Sequence, residues 1–164
     1  MCLDSEKIPS TADKISAVVT PLSANPIEGK PVKDLLWSNT LSVDVDEIDE
    51  DHRRLVDLFN ILNHAVTDGE AKVYIEAVLE ELISCTVWHF RHEERLMLKH
   101  AYPEFEAHKT EHAELIDSVR ALQQKFDQQG QRLSSEDIEF LEHWLTEHIL
   151  ITDMKLGAYL VEAM

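Results

Sequence analysis

Four long stretches of this chain place apolar residues every three or four positions, the spacing that gives a helix one buried stripe, and every stripe is broken by a histidine. From about Asp46 to Thr67 the stripe reads Ile48, His52, Leu55, Phe59, Leu62. From about Glu70 to His100 it reads Val78, Leu82, Cys85, His89, Glu93, Leu96. From near Pro103 to Gln129-Gly130 it reads Phe105, His108, His112, Leu115, Val119, Leu122, Phe126. The last stretch, after Ser134, reads Ile138, Leu141, Leu145, His148, Thr152, with Asp153 on its shoulder.

The breaks between stretches are short. Asp68-Gly69 ends the first, Tyr102-Pro103 separates the second from the third, with Pro103 suited to a first helical turn, and Ser134-Ser135-Glu136-Asp137 is a capping sequence for the fourth. Long helices joined by short connections pack as antiparallel neighbours, so the expected fold is all-α, an up-down-up-down four-helix bundle. Leu41, Val43 and Val45 alternate ahead of the first helix and predict an extended arm lying on the core. Residues 1–36 hold Pro9, Pro21, Pro26 and Pro31 without a sustained stripe and are expected to be a flexible extension, leaving 37–164 as the bundle domain.

The inward histidines and acids need an explanation. An ionised carboxylate in a bundle core costs several kcal/mol without a partner, and buried imidazole nitrogens need partners too. One such residue has a structural answer in hydrogen bonding. Seven of them, converging from four helices, are answered together by metal, which satisfies nitrogen lone pairs and carboxylate charge at once. His89 and Glu93 are four apart, as are His108 and His112, so each pair shares a helix face. His148 and Asp153 are five apart, about 140° around an ideal helix. They approach a two-metal centre from adjoining angles, or the helix carries a π-bulge there.

Composition narrows the function classes. The net charge is −17, from 15 basic and 32 acidic residues, which argues against nucleic-acid phosphates and anionic membranes as partners. No apolar run approaches the ~20 residues that span a bilayer. Two cysteines, Cys2 and Cys85, make a disulfide framework improbable and fit a reducing cytoplasm. Met1–Ser10 has no apolar core of a secretory signal.

The ordered set His52; His89-Phe90-Arg91-His92-Glu93; His108-Lys109-Thr110-Glu111-His112; and His148-Ile149-Leu150-Ile151-Thr152-Asp153 resembles the hemerythrin family. The flanks Ile48-Asp49, Tyr102-Pro103 and Trp144-Leu145 match as well, and the likeness runs from residue 37 to about 160. The resemblance implies two iron ions. His108, His112 and His148 would bind one, and His52 and His89 the other. Glu93 and Asp153 would bridge them, with a solvent-derived oxo or hydroxo group as third bridge. The two-histidine iron would keep an open position, where molecular oxygen binds reversibly. Phe90, Trp144, Leu145 and Ile149 flank the ligands and are expected to wall the oxygen pocket.

The implied function is therefore an oxygen carrier, store or deliverer rather than an enzyme. The alternatives are a sensor of oxygen, nitric oxide or redox state acting through an unknown protein partner, and a di-iron peroxidase-like or oxidase enzyme. Ferritin-like oxidases carry Glu-x-x-His on two helices; that motif occurs nowhere in this sequence. Asp51 stands where the family often has glutamine and is expected to be a solvated first-turn acid. His64, His92, His100 and His143 fall outside the pattern and are expected at the surface. Cys85 is expected to be a small buried hydrophobe.

Overall fold

The structure, a computed structural model, describes residues 33–129 and 132–164, so the expected extension lies almost entirely outside the described residues. Helix α1 spans Asp46–Thr67, α2 Lys72–Lys99, α3 Phe105–Gln129 and α4 Ser135–His148. A π-helical turn, Ile149–Asp153, joins α4 to α5, Met154–Ala163, so α4 and α5 together form the fourth long rod. Helix α2 packs between α1 and α3, and α4 closes the ring against α1 and α3. The bundle is the expected up-down-up-down one.

The chain's own chemistry ends the helices. The Asp68 N–H bonds back to the His64 carbonyl, and Gly69 follows at φ 70°, a left-handed conformation that glycine adopts freely. At the start of α4 the Ser134 hydroxyl accepts from the Asp137 N–H while the Asp137 carboxylate accepts from the Ser134 N–H, a closed capping box. Pro103 lies in the turn before α3 rather than in its first turn; the helix starts two residues later.

The arm before α1 is irregular, not a strand, but it packs as the alternation requires: Leu41, Val43 and Val45 are buried. Asp49, itself buried, anchors it by accepting from the Val43 N–H at 2.8 Å and the Ser42 hydroxyl at 2.5 Å. On its far side the arm lies so close to α5 that a β-carbon on Gly157 would sit 2.2 Å from the Val43 carbonyl oxygen. The arm's beginning is tied to α1, where the Asn60 side chain pairs with both the N–H and the carbonyl of Leu35, each at 2.9 Å.

Four stripe positions, Cys85, Phe105, Leu115 and Thr152, are only partly buried. In α2 the buried residue is Thr86, whose hydroxyl bonds the Leu82 carbonyl at 2.8 Å, while Cys85 is only partly buried and lines a surface groove with Arg54 and Trp88. The stripe drifts because 3.6 residues per turn is not an integer. In the fourth rod Asp153 is fully buried and Thr152 half-exposed, the reverse of the expected placing, because the π turn inserts there.

Candidate metal centre

The bundle brings all seven inward polar residues to one level. His52 comes from α1, His89 and Glu93 from α2, His108 and His112 from α3, His148 from the end of α4 and Asp153 from the π turn; each is buried, with His52, Glu93 and Asp153 at 0% exposure. The π turn makes the last pair possible. The Met154 N–H bonds the Ile149 carbonyl, five residues back. That widened turn brings position i+5 over position i, and His148 Nε2 lies 3.0 Å from Asp153 Oδ1. Of the two arrangements open to this pair, the structure adopts the bulge.

The two carboxylates divide the histidines into two sets. Glu93 Oε2 lies 3.1 Å from His112 Nε2 and 3.5 Å from His108 Nε2, and Asp153 Oδ1 lies 3.1 Å from His108 Nε2. The other oxygens face the other way: Glu93 Oε1 is 3.5 Å from His89 Nε2 and 3.9 Å from His52 Nε2, and Asp153 Oδ2 is 3.1 Å from His52 Nε2. Glu93 and Asp153 thus each present one oxygen to each set. Among the described residues, two groups have ligand atoms close enough to hold a metal ion: Glu93, His108, His112, His148 and Asp153, and His52, His89, Glu93 and Asp153.

Apart from the Nε2 atoms of His52 and His89, these atoms converge without bonding one another. Neither oxygen of Glu93 or Asp153, nor Nε2 of His108, His112 or His148, has a partner in hydrogen-bond geometry. His52 Nε2 and His89 Nε2 face each other at 3.1 Å. Buried polar atoms left unbonded at this density are costly, and a cation placed among them would satisfy them together.

Electrostatics show the same demand. Burial works against charging His108, but the adjacent Asp153 and Glu93 carboxylates outweigh it and push its pKa up to about 9. His148 also reaches about 9, against burial, through Asp153, Glu93 and Glu111. His89 is raised against its burial by Glu93, Asp51 and Asp153. Burial and the Asp153 charge both oppose ionising Glu93, yet His89, His108 and His112 hold it down at about 2. Asp153, likewise buried, is held well below the usual carboxylate range by His148, His108 and His52. The cluster therefore attracts positive charge, as protons or as metal.

Outer ring nitrogens are held by a further set of acids. His148 Nδ1 lies 2.6 Å from Glu111 Oε1, which also accepts from the Thr152 hydroxyl at 2.8 Å. His112 Nδ1 lies 3.2 Å from Glu94 Oε1, and His89 Nδ1 lies 3.3 Å from Asp51 Oδ2. A carboxylate that accepts from Nδ1–H leaves Nε2 as the free lone pair, aimed inward. Asp51 is thus not the solvated acid expected: it is half-buried, and His89 and His92 lower its pKa against the opposing effect of burial. Glu94 and Glu111 were not singled out from the sequence. The signal was there, since Asp51, Glu94 and Glu111 each adjoin an inward residue, about 100° round the helix, on the flank that meets the next helix.

Phe90 stacks on His112 with ring centroids 3.8 Å apart and meets His148 edge-on at 5.3 Å. Trp144, Leu145 and Ile149 are buried on the rod that carries His148, and the Trp144 indole N–H donates to the Leu115 carbonyl at 2.8 Å. Of the four histidines expected at the surface, His64 and His143 are exposed. His92 and His100 are not: His92 is enclosed by Asp51, Glu47 and Trp88, and His100 Nε2 is buried without a partner.

Comparison with known proteins agrees with this geometry. The family model described as "Hemerythrin HHE cation binding domain" matches residues 43–160. A bacteriohemerythrin of Stenotrophomonas maltophilia is 35% identical over 115 residues, covering 70% of this chain and 74% of that protein. A bacteriohemerythrin of Methylococcus capsulatus is 33% identical over 109 residues, covering 66% and 82%. Among solved structures, a wild-type hemerythrin superposes with a TM-score of 0.70 at 31% identity, covering 77% of this chain and 97% of that one.

Proposed function

The chain belongs to the hemerythrin family, and from that premise we propose that it binds molecular oxygen reversibly at a non-haem di-iron centre in the bundle core, as a carrier, store or deliverer of oxygen rather than as an enzyme. The observation that carries this reading is the division of donors by the two buried carboxylates. His108, His112 and His148 would hold one iron, His52 and His89 the other, and Glu93 and Asp153 would lie between them with one oxygen for each. Imidazole and carboxylate together suit iron, and the unbonded inward atoms fit two cations better than a set of hydrogen bonds. When bound there, two ferrous ions supply the two electrons that oxygen takes up on binding and returns on release.

The protein's own residues do the rest. Glu111, Glu94 and Asp51 fix the ring orientation and tautomer of His148, His112 and His89. Phe90, which stacks on His112, and the buried Trp144, Leu145 and Ile149 would wall the centre and exclude water and other reactants. The set for His52 and His89 contains one histidine fewer than the other, so the open position for oxygen would lie on that side. Five imidazoles against two carboxylates donate little negative charge, which disfavours high-valent iron and favours reversible binding over oxidation of a substrate. A charge of −17 gives neither nucleic acid nor an anionic membrane a surface to meet, and no helix among the described residues is long and apolar enough to cross a membrane. We assign the protein to the cytoplasm on its two cysteines, and residues 37–164 to the oxygen-binding unit.

The test is optical. Reduced, iron-loaded protein taken through cycles of oxygen and vacuum should gain and lose a charge-transfer band, and azide should compete in the oxidised form. Steady consumption of an added reductant under oxygen would make the protein an enzyme instead.

A further inference from the structure

Asp51 precedes His52, yet its carboxylate turns away from the cluster toward α2. A single oxygen, Oδ2, lies 3.3 Å from His89 Nδ1 and 2.7 Å from His92 Nδ1. The other nitrogen of His92 lies 3.1 Å from Oε2 of Glu47, whose side chain is exposed. The line runs from a fully buried imidazole to the rim of the bundle. An ionised carboxylate only accepts, so both Nδ1 atoms carry hydrogen, and His89 Nε2 is left to face the centre. The other two supporting acids do not share this arrangement. Glu94 meets His112, and Glu111 divides itself between His148 and a hydroxyl. At His89, a second imidazole competes for the oxygen that supports the first, and from the closer position.

We propose that Asp51 is a positioning residue that sets the donor strength of His89 at the two-histidine iron, and that His92 restrains it by competing for the same carboxylate oxygen. The proposal rests on the di-iron reading. A hydrogen bond from Nδ1–H to a carboxylate shifts negative charge onto the ring and makes Nε2 the stronger donor, which favours ferric over ferrous iron. Loss of Asp51 weakens that donor and favours ferrous iron. Loss of His92 gives Oδ2 wholly to His89 and favours ferric iron. Two side chains in contact thus push in opposite directions.

The iron-loaded full chain is poised against redox mediators as wild type, Asp51→Asn, Asp51→Glu, His92→Phe and Glu50→Gln. At a fixed potential the ferrous-to-ferric ratio should rise on the order of tenfold in Asp51→Asn, about 59 mV for one electron. It should fall in His92→Phe. Asp51→Glu, which keeps a carboxylate, should return part of the way to wild type. Glu50→Gln removes a neighbouring exposed charge that pairs with Arg53 and should change nothing. In the redox-silent zinc-loaded protein, the His89 Nδ1 proton should resonate further upfield in Asp51→Asn and further downfield in His92→Phe. Shifts of the same sign in the two variants, no shift in His92→Phe, or a Glu50→Gln effect equal to that of Asp51→Asn would overturn the proposal. A wild-type protein that takes up no pair of irons contradicts the di-iron reading instead, and the zinc-loaded spectra still decide the role of Asp51.

Discussion

Glu93 and Asp153 carry a demand that no other described residue carries: each is fully buried and each turns one oxygen to each set of histidines. Glu93→Ala or Asp153→Ala therefore removes a ligand from both metal positions, and bound iron should fall below one per chain. His64→Ala and His143→Ala change exposed side chains and should leave iron content at the wild-type level. Equal loss in all four variants, measured by elemental analysis, would refute the ligand assignment. Titration offers a second check. In metal-free protein, His108 and His148 have pKa values raised from 6.5 to about 9. Their contribution to stability is full below pH 6.5 and is lost as pH rises through 9. Glu93 is lowered from 4.5 to about 2, so its contribution is full above pH 4.5 and is lost as pH falls toward 2. Metal-free protein should thus melt highest between about pH 4.5 and 6.5. Metal-loaded protein should behave oppositely over the neutral range, since metal needs unprotonated imidazoles and acid releases it. Parallel melting curves for the two forms across pH 5–9 would contradict this.

Most helix ends and faces were legible in the sequence where a local rule decided them, although Pro103 lies ahead of α3 rather than in its first turn. Asp68-Gly69 stops α1, Ser134 with Asp137 starts α4, and the three-and-four spacing put six of the seven polar residues, all but Asp153, on inward faces. The other failures occur where the outcome depends on a neighbouring element. The spacing of His148 and Asp153 left two geometries open; the choice of a π turn depends on what Asp153 must reach across the core. Asp51 reads as an ordinary solvated acid until α2 places His89 and His92 against it. Gly157 has no meaning in the helical pattern of α5 and acquires one only when the arm's Val43 carbonyl presses against it. Gly157→Ala should therefore destabilise the protein, despite alanine's better helix propensity, by about 1–3 kcal/mol through overpacking. A thermal melt that rises in this variant would show that the arm yields at no cost.

At the scale of the molecule, short connections bring one level of four antiparallel rods into register, and the seven donors meet there although they are spread from residue 52 to residue 153. Burying that many polar groups opposes folding unless metal compensates. Iron removal should accordingly lower the melting temperature by several degrees at neutral pH, and equal melting of the two forms would mean that the core is satisfied without metal. The central claim is that this level holds two irons that take up oxygen and give it back. The most direct measurement is oxygen uptake per chain, with iron content determined on the same sample, over repeated cycles of oxygenation and evacuation. One oxygen molecule per two irons, recovered on each evacuation, is the expected result; uptake with no recovery, or one metal ion per chain, would contradict it.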